Sequence, residues 1–281
     1  MQFTKMNGAG NSFIILDGIR GALDTARLPE LARALCDVDF GVGADGLMAV
    51  LPADDADFTM RFYNSDGSLG EMCGNGARCI CRYGYETGLS GKRPRVRTTA
   101  GLVTGERMTA EQYRVRLPDA TVMQPDRVLT VDGRDIACAY VELGSPGLPH
   151  LAVELPHLAD AADDDLRALA RALRYHPALP KGANVNFYTL TGKDAVLLRT
   201  YERGVEDFTC ACGTGTGAVV SVLTLAGRVS GTAVRVKMRG GVLTMDVTAR
   251  DGTARDLFLT GPARLVARGE VFPEELLKNE I

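Results

Sequence analysis

The chain has no apolar run approaching the roughly 20 residues that a membrane-spanning helix needs; Gly, Pro or a charge interrupts each candidate. The opening Met1-Gln-Phe-Thr-Lys5 lacks the pattern of a secretory leader. These two absences predict a cytoplasmic location with no membrane partner. Charge of one sign is not in excess either: the formal charge is −3, with basic and acidic residues interspersed. No cationic stripe is available to follow a phosphate backbone, so nucleic acid is not expected as a partner. The 7 cysteines are an odd number and too sparse for a disulfide-stapled secreted domain. Cys79-Ile-Cys81 and Cys210-Ala-Cys212 offer paired thiols, but neither is the Cys-x-x-Cys knuckle usual in zinc sites, and no metal is expected. Gly41-Val-Gly-Ala-Asp-Gly46 matches the dinucleotide fingerprint letter for letter. It leads into Leu47-Met-Ala-Val-Leu51, a strand pattern rather than a helix, and so does not indicate a nucleotide cofactor.

What remains is a globular composition, 46% hydrophobic and 24% charged over 281 residues, enough for one large core or two domains. Within it one phrase occurs twice. Glu71-Met-Cys-Gly-Asn-Gly-Ala-Arg-Cys79 and Cys210-Ala-Cys-Gly-Thr-Gly-Thr-Gly-Ala218 each place a thiol before a glycine-rich turn that opens into a helical run. Cys73 and Cys212 are 212 − 73 = 139 positions apart, about half the chain. Other elements repeat at nearly the same offset: the hairpin pattern Arg95 to Thr104 over Arg235 to Thr244 (235 − 95 = 140), and Arg61 to Asn64 over Arg199 to Glu202 (199 − 61 = 138). Two copies of one strand-turn-helix-hairpin unit follow from this.

Hydrophobic spacing predicts a strand at Phe13 to Asp17, helices at Leu28 to Leu35 and Asp163 to Leu173, and a helix after Cys73 that stops near Gly88. Strands are predicted at Val128 to Val131, Ile136 to Leu143 and Leu151 to Glu154, with a turn from Gly144 to His150. The strand pattern lapses from Asp119 to Asp126, which predicts the boundary between lobes 1–122 and 123–264.

A thiol at a helix start meets unpaired N–H groups and the positive end of the helix dipole, which favour thiolate and welcome an anion. Two such starts brought to one cleft would hold a carboxylate with a sulfur on each face of its α-carbon. That suits two-base stereoinversion: one sulfur removes the α-proton and the opposite sulfur delivers another. Cys36, Cys79, Cys81 and Cys138 read as small buried hydrophobes, and Cys210 lies one step off the register that Cys212 shares with Cys73.

Met6-Asn-Gly-Ala-Gly-Asn11, Asn64-Ser-Asp-Gly67, Glu71-Met-Cys-Gly-Asn-Gly-Ala-Arg78, Tyr201-Glu-Arg-Gly204 and Ala211-Cys-Gly-Thr-Gly215 come in an order and spacing that resembles the diaminopimelate epimerase family, over essentially the whole chain. The resemblance implies an α/β (α+β) fold of two pseudo-symmetric lobes. Each would be a mostly antiparallel β-barrel around a central helix, with the active site in the cleft between them. The tail 265–281 is expected to return to the first lobe. The implied activity is interconversion of LL- and meso-diaminopimelate, for lysine and peptidoglycan synthesis, without pyridoxal phosphate or any other cofactor. A homodimer is the ordinary expectation.

By the same resemblance Cys73 and Cys212 are the acid/base thiols, and the backbones of Gly74, Asn75, Gly213 and Thr214 hold the reacting carboxylate. Asn11, Asn64, Asn184 and Arg203 match positions that bind the substrate's amino and carboxylate groups, Glu202 lies beside the reacting amine, and His150 matches the active-site histidine. Arg203 suits a distal carboxylate, which a guanidinium grips with two parallel bonds. Two departures bear on distal recognition. Gly144-Ser-Pro-Gly-Leu-Pro-His150 stands where the family usually has Gly-Asn-Pro-His, and Val205-Glu-Asp-Phe-Thr209 lacks the glycine often found after Arg-Gly-x. A cofactor-independent racemase of another amino acid, such as histidine, is the alternative expectation.

Overall fold

The computed structural model describes residues 1–70 and 73–272. It divides into two compact units, Met1–Val115 with the chain from Gly261 on, and Arg116–Thr260. Of the expected returning tail, residues 273–281 lie outside the described residues.

The first unit opens with an antiparallel hairpin, β1 (Gln2–Gly8) and β2 (Asn11–Asp17). Its turn is Ala9-Gly10, both at positive φ (58° and 98°), the conformation that a two-residue hairpin loop requires. The turn fixes the register, so Asn11 opens β2 opposite Gly8. Next, α1 (Leu28–Cys36) buries Leu28, Leu31, Ala32, Leu35 and Cys36, one face of a helix by their three- and four-residue spacing. It leads to β3 (Gly46–Leu51), parallel to β2, and β4 (Phe58–Asn64) runs antiparallel to β3. Then comes α2 (Gly74–Glu86), buried from Gly74 to Cys81 and again at Tyr83 and Gly84, against β1 and β2. A helix buried on so many sides is enclosed by strands instead of lying across them. The hairpin β5 (Arg95–Thr98) and β6 (Gly101–Arg107) follows, β5 parallel to β4, and β7 (Gln112–Arg116) pairs with β6.

The second unit repeats this order. A hairpin of β8 (Ala120–Val131) and β9 (Arg134–Leu143) leads to β10 (Leu148–Glu154), antiparallel to β9. After it, α3 (Asp163–Arg174) buries Leu166, Ala170 and Leu173 and carries Asp163, Asp164 and Asp165 in its first turn, where the helix dipole favours acids. Next is β11 (Asn184–Gly192), parallel to β10, then the antiparallel β12 (Ala195–Glu202) and the short β13 (Asp207–Phe208). The second enclosed helix, α4 (Gly213–Leu225), is apolar all round and buried from Gly215 to Ser221. The hairpin β14 (Val234–Met238) and β15 (Gly241–Arg250) follows, with β14 parallel to β12, and then β16 (Thr253–Pro262). The final strand, β17 (Arg264–Glu270), pairs antiparallel with β1.

The architecture is mixed α/β, mostly strands with few helices, and the repeat extends to register. Phe13, Gly46 and Asn64 align across β2, β3 and β4. His150 and Asn184 align across β10 and β11, with Glu202 one step beyond the Val185–Tyr201 pair on β12. The offsets are 184 − 46 = 138 and 202 − 64 = 138. The expected lapse from Asp119 to Asp126 is corrected: β8 runs through it from Ala120. Two register shifts, between Ala120 and Val122 and between Gln124 and Arg127, break the alternation. Pro125 sits in the second, where a missing N–H costs no ladder bond. Likewise β10 begins at Leu148, so His150 belongs to a strand and not to a turn. Among the described residues no helix is long and apolar enough to cross a membrane.

Candidate active site

Cys73 and Cys212 are the N-cap residues of α2 and α4, on nearly the same extended backbone: φ −106°, ψ 123° and φ −121°, ψ 113°. Each carbonyl accepts the first helical bond, from Ala77 N at 2.7 Å and from Thr216 N at 3.0 Å. The Cys212 sulfur accepts the Gly215 N–H at 3.3 Å and has the Thr214 hydroxyl 3.5 Å away. A backbone donor on sulfur at a helix start favours thiolate. The glycine is needed for packing: a Cβ on Gly215 would stand 2.2 Å from Asn186 Oδ1.

In the first unit, Asn11 and Asn75 are joined directly, Asn75 Nδ2 donating to Asn11 Oδ1 at 2.6 Å. Gly8 lies so close to the start of α2 that an added Cβ would be 2.7 Å from Asn75 O, which holds the hairpin against the helix. Asn64 reaches the same end of the strands through the Phe13–Gly46–Asn64 register, but its amide donates to Ser68 Oγ at 2.9 Å and it is exposed. Among the described residues no hydrogen bond connects it to Asn11 or Asn75.

In the second unit, the parallel register of β10 and β11 sets His150 beside Asn184. Asn184 Oδ1 accepts the Arg203 N–H at 2.7 Å, and Arg203 Nη1 donates to Lys181 O at 3.1 Å. His150 is 0% exposed, and burial, helped by Arg203, draws its pKa down to about 3. It is therefore a neutral imidazole. Its Nδ1 lies 3.3 Å from Asn186 Nδ2, an atom identified as nitrogen because it also donates to Leu151 O at 2.9 Å. Nδ1 thus accepts and Nε2 carries the hydrogen, a buried donor that no described residue meets. Burial raises the Glu202 carboxyl above its ordinary value.

The other thiols have the opposite character. Burial pushes Cys36, Cys79 and Cys81 up to about 12 and raises Cys138, so they pack as apolar groups. Two residues without a role in the sequence reading stand out. Asn186, held by Thr200 Oγ1 at 2.9 Å, sets the His150 tautomer; its signal was a second asparagine two positions after Asn184 on an apolar strand. Arg78, named only as part of a motif, is wholly buried behind Asn75 and donates to it. Among the described residues no group of three or more His, Cys, Asp and Glu is placed to hold a metal ion.

The two-unit fold defines a class also seen in solved structures. A probable proline racemase from Agrobacterium radiobacter matches with a TM-score of 0.70 at 19% identity, covering 96% of this chain and 92% of that one. A phenazine biosynthesis protein of the PhzF family from Bacillus anthracis matches with a TM-score of 0.71 at 16% identity, covering 97% and 99%. Within that class the sequence is more specific. The family model described as diaminopimelate epimerase matches residues 3–122 and 143–266. Diaminopimelate epimerase of Archaeoglobus fulgidus is 38% identical, covering 98% of this chain and 97% of its own. That of Aquifex aeolicus is 37% identical, covering 98% and 99%. The chain belongs to the diaminopimelate epimerase family.

Proposed function

We propose that the protein interconverts LL- and meso-diaminopimelate by a two-base mechanism, with Cys73 and Cys212 as the acid and base. The observation that carries this is the pair of N-cap cysteines on matching backbones, in a chain of this family. One sulfur, as thiolate, takes the α-proton from the substrate, and the electron pair passes into the α-carboxylate as an enediolate. The other sulfur, as thiol, gives its proton to the opposite face. One proton leaves and one arrives, and the two sulfurs exchange protonation states. The hard step is the negative charge on the enediolate. The backbone N–H groups of Gly74, Asn75, Gly213 and Thr214 answer it, since preorganised oxyanion donors contribute about 3–4 kcal/mol each. This chemistry needs no pyridoxal phosphate.

Asn11 and Asn64 bind the substrate's polar groups from the first unit. His150, as an Nε2–H donor, and Asn184 do so from the second, Glu202 receives the α-ammonium, and Arg203 holds the distal carboxylate. The longer segment from Gly144 to His150 alters the approach to that distal end, but relatives of 33–38% identity bearing one name favour diaminopimelate over another amino acid. The reading includes lysine and peptidoglycan precursor supply, a cytoplasmic location and a homodimer.

Exchange of the α-hydrogen of LL-diaminopimelate in heavy water tests it. Cys73→Ala and Cys212→Ala are each expected to lower the rate by about a hundredfold to ten-thousandfold, the range for lost acid–base catalysis, with an unchanged far-UV spectrum. Wild-type turnover in either variant overturns the two-base assignment.

A further inference from the structure

Arg78 lies in the first turns of α2 with 0% exposure. Its Nη1 donates to Gly74 O at 3.2 Å, Nη2 to Asn75 Oδ1 at 2.8 Å and Nε to Pro262 O at 3.4 Å. Among the described residues no carboxylate lies within salt-bridge distance of it. Burial pulls its pKa down, opposed by the sulfurs of Cys79, Cys73 and Cys81. A cation buried without an ion partner costs stability, and an apolar side chain of similar length would fill the space more cheaply. Packing alone therefore does not account for an arginine here.

Its hydrogen bonds do. A guanidinium only donates, so the Asn75 atom facing it is the oxygen. The Asn75 nitrogen must then face Asn11, and at 2.6 Å the atom it meets must be Asn11 Oδ1. That leaves the Asn11 N–H2 as the group turned away from α2. Amide orientation is set by such networks, and here one residue that cannot accept starts the chain. We propose that Arg78 is a positioning residue, which through Asn75 locks the Asn11 amide with its N–H2 toward the substrate, making the position selective for a carboxylate oxygen. With either amide reversed, Asn11 would offer an oxygen to a carboxylate and repel it. The proposal rests on Asn11 being a substrate-binding residue, as read above.

Nitrogen–proton correlation spectra of asparagine-labelled protein, without substrate, test the relay directly. In the wild type the Asn75 N–H2 pair is expected to exchange slowly with solvent. In Arg78→Met it is expected to exchange at least about tenfold faster, with KM for diaminopimelate raised about tenfold or more and kcat changed less, as for loss of a hydrogen bond to a charged group. Arg78→Lys is expected to behave in the same way, because one ammonium cannot reach three oxygens held by a planar fork. Asn75→Asp separates the relay from the fold: Asp at 75 still accepts from Arg78, so the thermal midpoint is kept or raised. It cannot donate to Asn11, so KM rises and the Asn11 N–H2 resonances move. Unchanged Asn75 exchange with a wild-type KM in Arg78→Met overturns the proposal. If that variant does not fold, a wild-type KM and unmoved Asn11 resonances in Asn75→Asp overturn it instead. A wild-type enzyme that leaves diaminopimelate unchanged would sink the proposed function, while the spectra would still decide the relay.

Discussion

Glu206 holds a left-handed backbone, φ 59°, in the loop that carries Arg203. A non-glycine residue there costs about 1–2 kcal/mol relative to glycine, from the contact between its Cβ and the backbone. Its carboxylate offsets that cost: Oε1 accepts from Gly204 N at 3.0 Å and from Arg174 Nε and Nη2 at 3.1 and 2.9 Å. Glu206→Ala keeps the strain and loses these bonds, whereas Glu206→Gly loses the bonds but relaxes the backbone. Both are expected to be less stable than wild type, with the glycine variant more stable than the alanine variant by about 1 kcal/mol in urea unfolding. Equal midpoints for the two would show that the loop is not strained. The missing family glycine was legible in the sequence at this loop. Its replacement by a side chain anchored on Arg174, 32 residues earlier, was not, because no local pattern records that contact.

At the scale of elements, α4 begins with alternating glycines that have different neighbours. A Cβ on Gly215 would press on Asn186 Oδ1 at 2.2 Å and Thr200 Oγ1 at 3.1 Å, whereas on Gly217 its three nearest neighbours would be Leu side-chain carbons, the closest at 3.1 Å. Alanine gains about 1 kcal/mol over glycine inside a helix, and overpacking against fixed groups costs about 1–3 kcal/mol. Gly215→Ala is therefore expected to destabilise the protein and weaken catalysis, since it displaces the turn that donates to Cys212 Sγ. Gly217→Ala is expected to be near neutral in both. Thermal midpoints and hydrogen exchange on substrate check this, and a harmless Gly215→Ala would refute the close approach of α4 to β11 and β12. The starts of α2 and α4 were legible because a thiol, glycines and a following apolar run are all local. The first part of β8 was hidden, since its burial does not alternate where bulges shift the register. The His150–Asn186 contact was hidden as well. It depends on a parallel pairing between residues 36 positions apart, which periodicity within either strand does not encode.

For the molecule as a whole, two titrating groups in the Arg116–Thr260 unit, His150 fully buried and Glu202 half-buried, set opposed dependences of stability on pH. His150 has its pKa lowered to about 3, so below about 6.5 the unfolded chain binds a proton that the folded chain refuses. The stability it contributes is full above about 6.5 and is lost as the pH falls. Glu202 acts the other way: its raised pKa lets the folded protein take a proton before the unfolded chain does, so stability returns as the pH falls toward its ordinary value. The lowered carboxylates Asp17, Glu142 and Glu154 lose their contribution only at more acid pH, below about 4.5. Between about pH 6.5 and 4.5 the slope thus reports on His150 against Glu202. Glu202→Gln is expected to lose stability on acidification more steeply than wild type, approaching about 1.4 kcal/mol per pH unit for one proton. His150→Gln is expected to stay level or gain stability over the same range. The chain has no Trp, so urea unfolding is best followed by far-UV circular dichroism. Parallel profiles for wild type and both variants would mean that neither group is held in the protonation state its burial demands, and the neutral Nε2–H donor assigned to His150 would fall with them.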